Sequence, residues 1–124
     1  MFQLHKSYTR EQIHDRVGGS LVGYLPHVDG QVVCACLRTD TNPDAPDVIL
    51  PGTGKDIEYS AKLLVSQGGS VPTFIKVGTK RWEYVGIFRV KRSSIDPSEI
   101  RKHAQKSNRR NITIGHLYGA GRKK

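Results

Sequence analysis

The chain has 124 residues, two cysteines and a formal net charge of +9. This length suits one compact core, so we expect a single domain across residues 1–124. The sequence has no apolar run of about 18 residues, and its first ten residues lack the apolar core of a secretory signal. We therefore expect no membrane span and no export, and we place the protein in the cytoplasm.

The positive charge is concentrated in the later part of the chain. Residues 75–124 contain fourteen Lys and Arg against three Asp and Glu, whereas residues 1–74 contain six against eight. This asymmetry is typical of a surface that binds a polyanion, because Lys and Arg gain affinity by releasing counterions from phosphates. A solvated basic face kept for solubility is the alternative reading of the same counts.

The N-terminal segment SYTREQIHDRVGG has the pattern of a short helix. Thr9 and Gln12 have the spacing of a capping box at its start. Ile13 and Val17 form an apolar pair one turn apart, and two glycines follow. We therefore predict a helix that ends at Gly18.

The next predicted elements are a turn at Asp29 and Gly30 and a buried strand in QVVCACLR. Cys34 and Cys36 lie one residue apart in this apolar strand, so their side chains point the same way. We interpret them as small buried hydrophobic residues, since neither a disulfide nor a zinc site fits their spacing. The segment TDTNPDAPD then predicts an ordered loop.

The segment ILPGTGKDIEYSAK contains the centre of an ATPase phosphate-binding loop. The complete loop needs a glycine five residues before its second glycine and a hydroxyl residue after the lysine. Ile49 and Asp56 occupy those two positions, so the segment does not predict an NTPase. We predict a strand, a turn and a helix over about residues 54–67. Its apolar face consists of Ile57, Ala61, Leu64 and Val65.

The segment VPTFIKVGTKRWEYVGIFRVKR predicts two long strands joined by a tight turn at residues 78–81. Alternation along the second strand divides its side chains between two faces. One face is predicted to carry Trp82, Tyr84, Phe88 and Val90, and the other Val85, Ile87, Arg89 and Lys91.

The C-terminal region predicts a helix and a final strand. Asp96 is the expected N-cap of the helix, with Pro97 at its first position and Glu99 at its third. NITIGHLYG predicts the last strand, and residues 119–124 are expected to form a basic, mobile tail. The whole pattern predicts an α+β fold with a curved or barrel-like mixed sheet and two or three short helices on its outside.

The order of four segments is similar to that in a known family. IHDRVGG, PGTGKD, VPTFIKV and RWEYVGIFRV follow one another as in SRA (YDG) domains of the PUA-like superfamily, across residues 10–92. The resemblance implies a sheet that binds DNA, flips a methylated or hydroxymethylated cytosine out of the duplex and reads it in a pocket. Such domains serve modification-dependent restriction, so a separately encoded nuclease is an implied partner. An RNA-binding PUA-like module and a small stand-alone nuclease or hydrolase remain alternatives.

A flipped base must regain its stacking and pairing energy from aromatic rings and polar edge contacts. The candidates for this base pocket are Tyr24, Asp29, Asn42, Asp44, Tyr59, Trp82 and Tyr84. The alternative is that Trp82 and Tyr84 belong to the core and that Asn42 and Asp44 cap the proline-rich turn.

Contacts to the nucleic-acid backbone need only positive charge at the right surface. The candidates are Lys55, Lys76, Lys80, Arg81, Arg89, Lys91, Arg92, Arg109 and Arg110. We find no residues spaced for catalysis, and we expect neither a metal nor a cofactor.

Overall fold

The computed structural model describes residues 2–52, 54–104 and 117–122. The helices are α1 (Arg10–Val17), α2 (Lys55–Gln67) and α3 (Pro97–Ala104). The strands are β1 (Ser7–Tyr8), β2 (His27–Val28), β3 (Gln31–Val32), β4 (Ala35–Leu37), β5 (Val48–Ile49), β6 (Ser70–Gly78), β7 (Arg81–Ser94) and β8 (Leu117–Arg122).

The main sheet has the strand order β4-β6-β7-β8-β5, with β1 paired to β7. Among the described strands of this sheet, β4 and β6 form a parallel pair, and the other pairs are antiparallel. The sheet curls into a half-barrel with a few short helices around it, which confirms the predicted α+β class and curved mixed sheet. Strands β2 and β3 form a separate hairpin.

The centre of the fold is the antiparallel pair β6 and β7, joined by the predicted tight turn. Lys80 in this turn has a φ of +56°, in the left-handed region. A register shift between Thr73 and Phe74 shows an extra residue in β7, because Tyr84 and Gly86 face adjacent residues of β6. Gly86 has a φ of +117° at this bulge, a conformation that favours glycine.

The bulge changes which face of the sheet the following side chains meet. Trp82 and Tyr84 pack with Phe74 in a cluster on one face. Val90 instead packs against the cluster that contains Val71, on the opposite face. The prediction that Trp82, Tyr84, Phe88 and Val90 share one face is therefore wrong, because the extra residue at the bulge shifts the alternation between Tyr84 and Phe88.

The N-terminal segment and α1 cover the first of these faces, which we call the α1 face. Its core consists of Tyr8, Ile13, Cys34, Cys36, Phe74, Trp82 and Tyr84. Phe2 adds edge-on contacts to the rings of Tyr8 and Phe74, with centroid distances of 5.2 and 4.9 Å. The capping box predicted for α1 is present, because Thr9 and Gln12 exchange side-chain to backbone hydrogen bonds.

Helix α2 covers the opposite face, which we call the α2 face. Ala61 and Leu64 are buried there as predicted, together with residues of β4 and β6. Ile57 and Val65, which were predicted to share this apolar face, are 37% and 36% exposed, so the buried part of α2 does not include them. The helix is turned so that Ser60 is buried instead, with its Oγ 3.4 Å from Nδ1 of His27.

Two further strand predictions need correction. QVVCACLR is divided into β3 and β4, since the backbone N–H of Val33 bonds to Pro26 outside the main sheet. Strand β8 runs from Leu117 to Arg122 and pairs with both β5 and β7, whereas residues 111–116 of the predicted last strand lie outside the described residues. Residues 119–122 therefore belong to the sheet, and the predicted mobile tail does not begin at 119.

Candidate nucleic-acid interface

A basic concavity of about 300 Å³ lies at the turn end of the β6–β7 hairpin, on the α1 face. We call it the basic groove. Its lining includes four cationic side chains and one indole ring, which belong to Arg10, Arg38, Lys76, Lys80 and Trp82. Glu11, Leu21 and Val22 complete the lining. Four positive charges therefore meet one negative charge in this concavity.

Strand pairing brings these side chains together from distant parts of the sequence. Trp82 is opposite Lys76 on one side and opposite Tyr8 on the other. Leu37 is aligned with Ile75 in the parallel pair, so Arg38 follows beside Lys76. Helix α1 begins two residues after Tyr8, which places Arg10 at the same end of the sheet.

The ring of Trp82 forms the floor of the basic groove and is only 7% exposed. The guanidinium carbon of Arg10 lies 5.2 Å from the ring centroid, and Nζ of Lys76 lies 5.7 Å from it. Cations at this distance are attracted to the ring quadrupole. The indole therefore allows two positive charges to remain close to each other at the base of the groove.

Arg10 also fixes the neighbouring loop. Its Nη2 donates hydrogen bonds to the carbonyl oxygens of Ser20 and Gly23, at 2.9 and 2.7 Å. Arg10 thus ties the loop at residues 19–23 to the floor of the groove, and part of its hydrogen-bonding capacity is already used.

Arg38 forms a two-point ion pair with Asp40 at the edge of the groove. Nε of Arg38 donates to Oδ1 at 3.1 Å, and Nη2 donates to Oδ2 at 2.7 Å. The guanidinium holds the pKa of Asp40 below its usual range, chiefly through these hydrogen bonds. A side cavity of about 220 Å³ adjoins this pair and shares Arg38 and Lys76 with the basic groove.

Lys76 and Lys80 differ from the two arginines in their partners. Neither lysine forms an ion pair with a carboxylate in the part of the chain that the structure describes. Lys76 is half-buried and Lys80 is exposed. Unlike Arg38, these two ammonium groups can therefore meet an anionic ligand without displacing a protein carboxylate.

The other predicted phosphate contacts lie in several places. The guanidinium of Arg81 packs against Gly78. A Cβ atom at position 78 would lie 2.8 Å from Nε of Arg81. Lys55 is exposed at the start of α2, and Arg89 and Lys91 are exposed further along β7. Arg92 forms an ion pair with Glu99 of α3. Arg109 and Arg110 lie outside the described residues.

The predicted base-pocket residues are not brought together by the contacts of the structure. Trp82 and Tyr84 belong to the core of the α1 face, and desolvation raises the pKa of Tyr84. Tyr24 packs against the core of the α2 face, where its hydroxyl donates to the carbonyl oxygen of Ile57 at 2.7 Å.

The remaining base-pocket candidates are divided between a loop, a hairpin tip and a helix. Asn42 is buried, and its Oδ1 accepts a hydrogen bond from the backbone N–H of Leu50 at 2.7 Å. Asp44 is half-buried in the same loop. Asp29 lies in the β2–β3 turn with a φ of +51°. The exposed ring of Tyr59 is edge-on to His27.

Cys34 and Cys36 are buried free thiols, as interpreted from the sequence. Hydrogen bonding to Cys36, followed by desolvation, raises the pKa of the Cys34 thiol. Among the described residues, no three or more His, Cys, Asp and Glu side chains are grouped as a metal site. No helix in the described ranges has the length and apolar character needed to cross a membrane.

Sequence reasoning missed Arg10, Arg38 and the two apolar residues of the groove. Arg10 and Arg38 lie in the part of the chain where acidic residues outnumber basic ones, so the charge counts do not indicate that they belong to a basic surface. Only the pairing of β1 and β4 with the central hairpin brings them beside Lys76.

Comparison with known families identifies a matching family model. A family model described as a domain of unknown function (DUF6697) matches residues 7–118. No curated protein and no solved structure matches the chain. The matched range includes every residue that lines the basic groove.

Proposed function

This chain belongs to the DUF6697 family, and we propose that it is a nucleic-acid-binding module that holds a phosphate backbone in the basic groove. The polymer that we propose first is DNA, because the resemblance to SRA domains favours it. RNA is the alternative that the binding experiment below distinguishes.

One observation carries this proposal. Four cations from three separate segments line a single concavity with a tryptophan at its floor: Arg10 from α1, Arg38 after β4, and Lys76 and Lys80 from the β6–β7 hairpin. A basic face kept only for solubility needs no such convergence, because dispersed charges serve solubility equally well. Converging Lys and Arg side chains are complementary in charge to a phosphate backbone. Binding of these side chains to the phosphates releases the counterions of the nucleic acid.

The form of the groove favours a segment of backbone as the ligand. Its volume of about 300 Å³ is at the lower end of the range for small-molecule sites. The side cavity continues it past Arg38 and Lys76. Two adjoining concavities that share two cations suit successive phosphates of one strand.

Recognition of a flipped, modified cytosine is a narrower hypothesis, and the proposal does not include it. A flipped base needs a pocket with an accessible ring and convergent polar groups. Trp82 is already covered by Arg10 and Lys76, and the hydroxyl of Tyr24 is bonded to the start of α2. Binding of the nucleic-acid backbone does not require the ring of Trp82 or the hydroxyl of Tyr24 to be accessible.

The experiment compares two variants that lose the same charge from different places. Lys76→Ala/Lys80→Ala removes both lysines of the groove. Arg89→Ala/Lys91→Ala removes two exposed cations of β7, which lie roughly 23 and 30 Å along the strand from Trp82 at about 3.3 Å per residue. Fluorescence anisotropy with labelled duplex DNA, single-stranded DNA and single-stranded RNA, in a salt series, gives the affinity and its salt slope.

We expect the groove variant to bind every polymer more weakly and to lower the salt slope by about two, one for each phosphate that the variant no longer neutralises. The β7 variant should show a much smaller change. Equal reductions in affinity for both variants would mean that the protein responds only to its overall charge. That result would contradict the assignment of the basic groove as the binding site.

A further inference from the structure

We infer that the tip of the loop at residues 19–23 is a preformed apolar contact for a nucleobase of the strand held in the basic groove. This inference rests on the proposed function and adds a role for bases to the contacts made by phosphates. It concerns Leu21 and Val22, which line the groove with the four cations.

The tip is unusually exposed for an apolar segment. Val22 is 88% exposed, the highest value among the exposed large hydrophobic residues of the described chain, and Leu21 is 45% exposed. A single exposed hydrophobic residue needs no explanation by itself. Two neighbouring ones that line a strongly basic concavity form a surface with both apolar and cationic parts.

Hydrogen bonds hold this loop in one shape. Oγ of Ser20 accepts from the backbone N–H groups of Val22 and Gly23, at 3.1 and 2.9 Å. Arg10 holds the carbonyl oxygens of Ser20 and Gly23, and Nδ1 of His14 lies 2.6 Å from the carbonyl oxygen of Gly19. The exposed valine is therefore presented by an ordered loop, so binding loses little conformational entropy there.

Close packing at Gly19 supports the same loop from the other side. Its φ is +83°, and a Cβ at this position would lie 2.6 Å from Cβ of Pro26. Only glycine allows this approach without strain. The loop is thus fixed by Pro26 and Arg10 while its apolar tip remains in solvent.

The ligand that fits this combination carries negative charge and an apolar planar face within a few ångströms of each other. A nucleotide unit has both, because its phosphate is charged and its base has a π-face that apolar side chains contact. An anionic lipid surface also combines charge with apolar chains. The cations here share a concavity with the tip, which suits a strand lying in a groove better than a flat membrane.

The test separates the contribution of bases from that of phosphates. The probes are oligothymidylate and an abasic strand of equal length, which carry the same phosphates. The variants are Val22→Ser and Ile95→Ser, because Ile95 is a 64% exposed apolar residue that does not line the groove. Anisotropy titrations in a salt series measure both affinities, and vesicles containing phosphatidylserine provide a lipid surface.

We expect the wild-type protein to bind oligothymidylate about threefold to tenfold more tightly than the abasic strand, the range that burial of part of a valine provides. Val22→Ser should remove most of this difference without changing the salt slope, and Ile95→Ser should retain it. Both variants should unfold at the wild-type denaturant midpoint, since both side chains are exposed.

Three results have different meanings. Equal affinity of the wild-type protein for the two strands, or equal effects of the two serine variants, would overturn this inference and leave the proposed function intact. Absence of salt-dependent binding to either strand, together with absence of binding to duplex DNA and RNA, would overturn the proposed function itself. If Val22→Ser weakened binding to the vesicles and not to oligothymidylate, the tip would belong to a lipid-binding surface and the inference would be overturned.

Discussion

Asp40 is a carboxylate that competes with the proposed ligand for Arg38. Its carboxylate occupies both hydrogen-bonding positions that Arg38 uses, at the border between the basic groove and the side cavity. A phosphate that binds Arg38 in the same two-point geometry must displace it. Asp40 therefore limits the affinity of the groove for anions.

We expect Asp40→Asn to strengthen binding of single-stranded DNA by severalfold, because the variant frees Arg38 and removes a repelling charge. The pKa of Asp40 lies below its usual range, so its carboxylate stays ionised when an ordinary aspartate begins to take up a proton. The ratio of the two affinities should thus stay constant between about pH 5 and pH 8. Anisotropy titrations of the variant and the wild-type protein at several pH values measure this ratio of affinities. Weaker binding by Asp40→Asn would contradict the role of Asp40 as a competitor for Arg38.

Asn42 illustrates a residue whose role is structural. Its buried side chain accepts a hydrogen bond from the N–H of Leu50, and its own backbone N–H donates to the carbonyl oxygen of Arg38. We expect Asn42→Ala to lower the free energy of unfolding by about 1–3 kcal/mol, because a buried backbone donor loses its partner. Urea unfolding measures this decrease. An unchanged midpoint would indicate that water replaces the amide at no cost.

At the scale of elements, the features that depend on residues close in sequence were predicted well, and the features that depend on residues far apart were not. The capping box of α1 is present as predicted, and Oδ1 of Asp96 accepts a hydrogen bond from the N–H of Ser98 at the start of α3. Each depends on residues within three positions of one another. The bulge near Gly86 depends on the register between β6 and β7, which periodicity alone does not reveal.

The contact between α2 and the β2–β3 hairpin provides a further example of a long-range feature. The side-chain amide of Gln67 accepts from the N–H of Val32 at 2.8 Å and donates to its carbonyl oxygen at 3.0 Å. Gln67 thus pairs with β3 as a neighbouring strand would. Nothing in the helical pattern of residues 55–67 distinguishes this glutamine from one that faces solvent.

We expect Gln67→Glu to lower the free energy of unfolding by about 1–3 kcal/mol, because the carboxylate keeps the acceptor but cannot donate to Val32. Thermal unfolding near neutral pH measures this decrease. Gln31→Glu, at an exposed position of β3, is the matched control and should have a much smaller effect. Similar effects of both substitutions would show that the added charge, rather than the missing hydrogen bond, is responsible.

At the scale of the whole molecule, the two faces of the curved sheet differ in how they are covered. The α2 face is closed by a helix and an aliphatic core, whereas the α1 face combines an aromatic core with an open basic end. The fold class and the cluster of Lys76, Lys80 and Arg81 at the hairpin could be predicted from alternation and charge counts. The convergence of Arg10 and Arg38 on that hairpin could not, because it depends on strand pairs between residues far apart in sequence.

Trp82 is the sole tryptophan of the chain and lines the proposed binding site, so its fluorescence reports directly on the basic groove. The most direct test of the central claim is a titration with unlabelled single-stranded DNA, followed by Trp82 emission and compared with anisotropy of labelled DNA. We expect the emission to change, to saturate at the same DNA concentration as the anisotropy, and to return on addition of salt. Saturating anisotropy without any change in Trp82 emission would place the nucleic acid elsewhere and contradict the account.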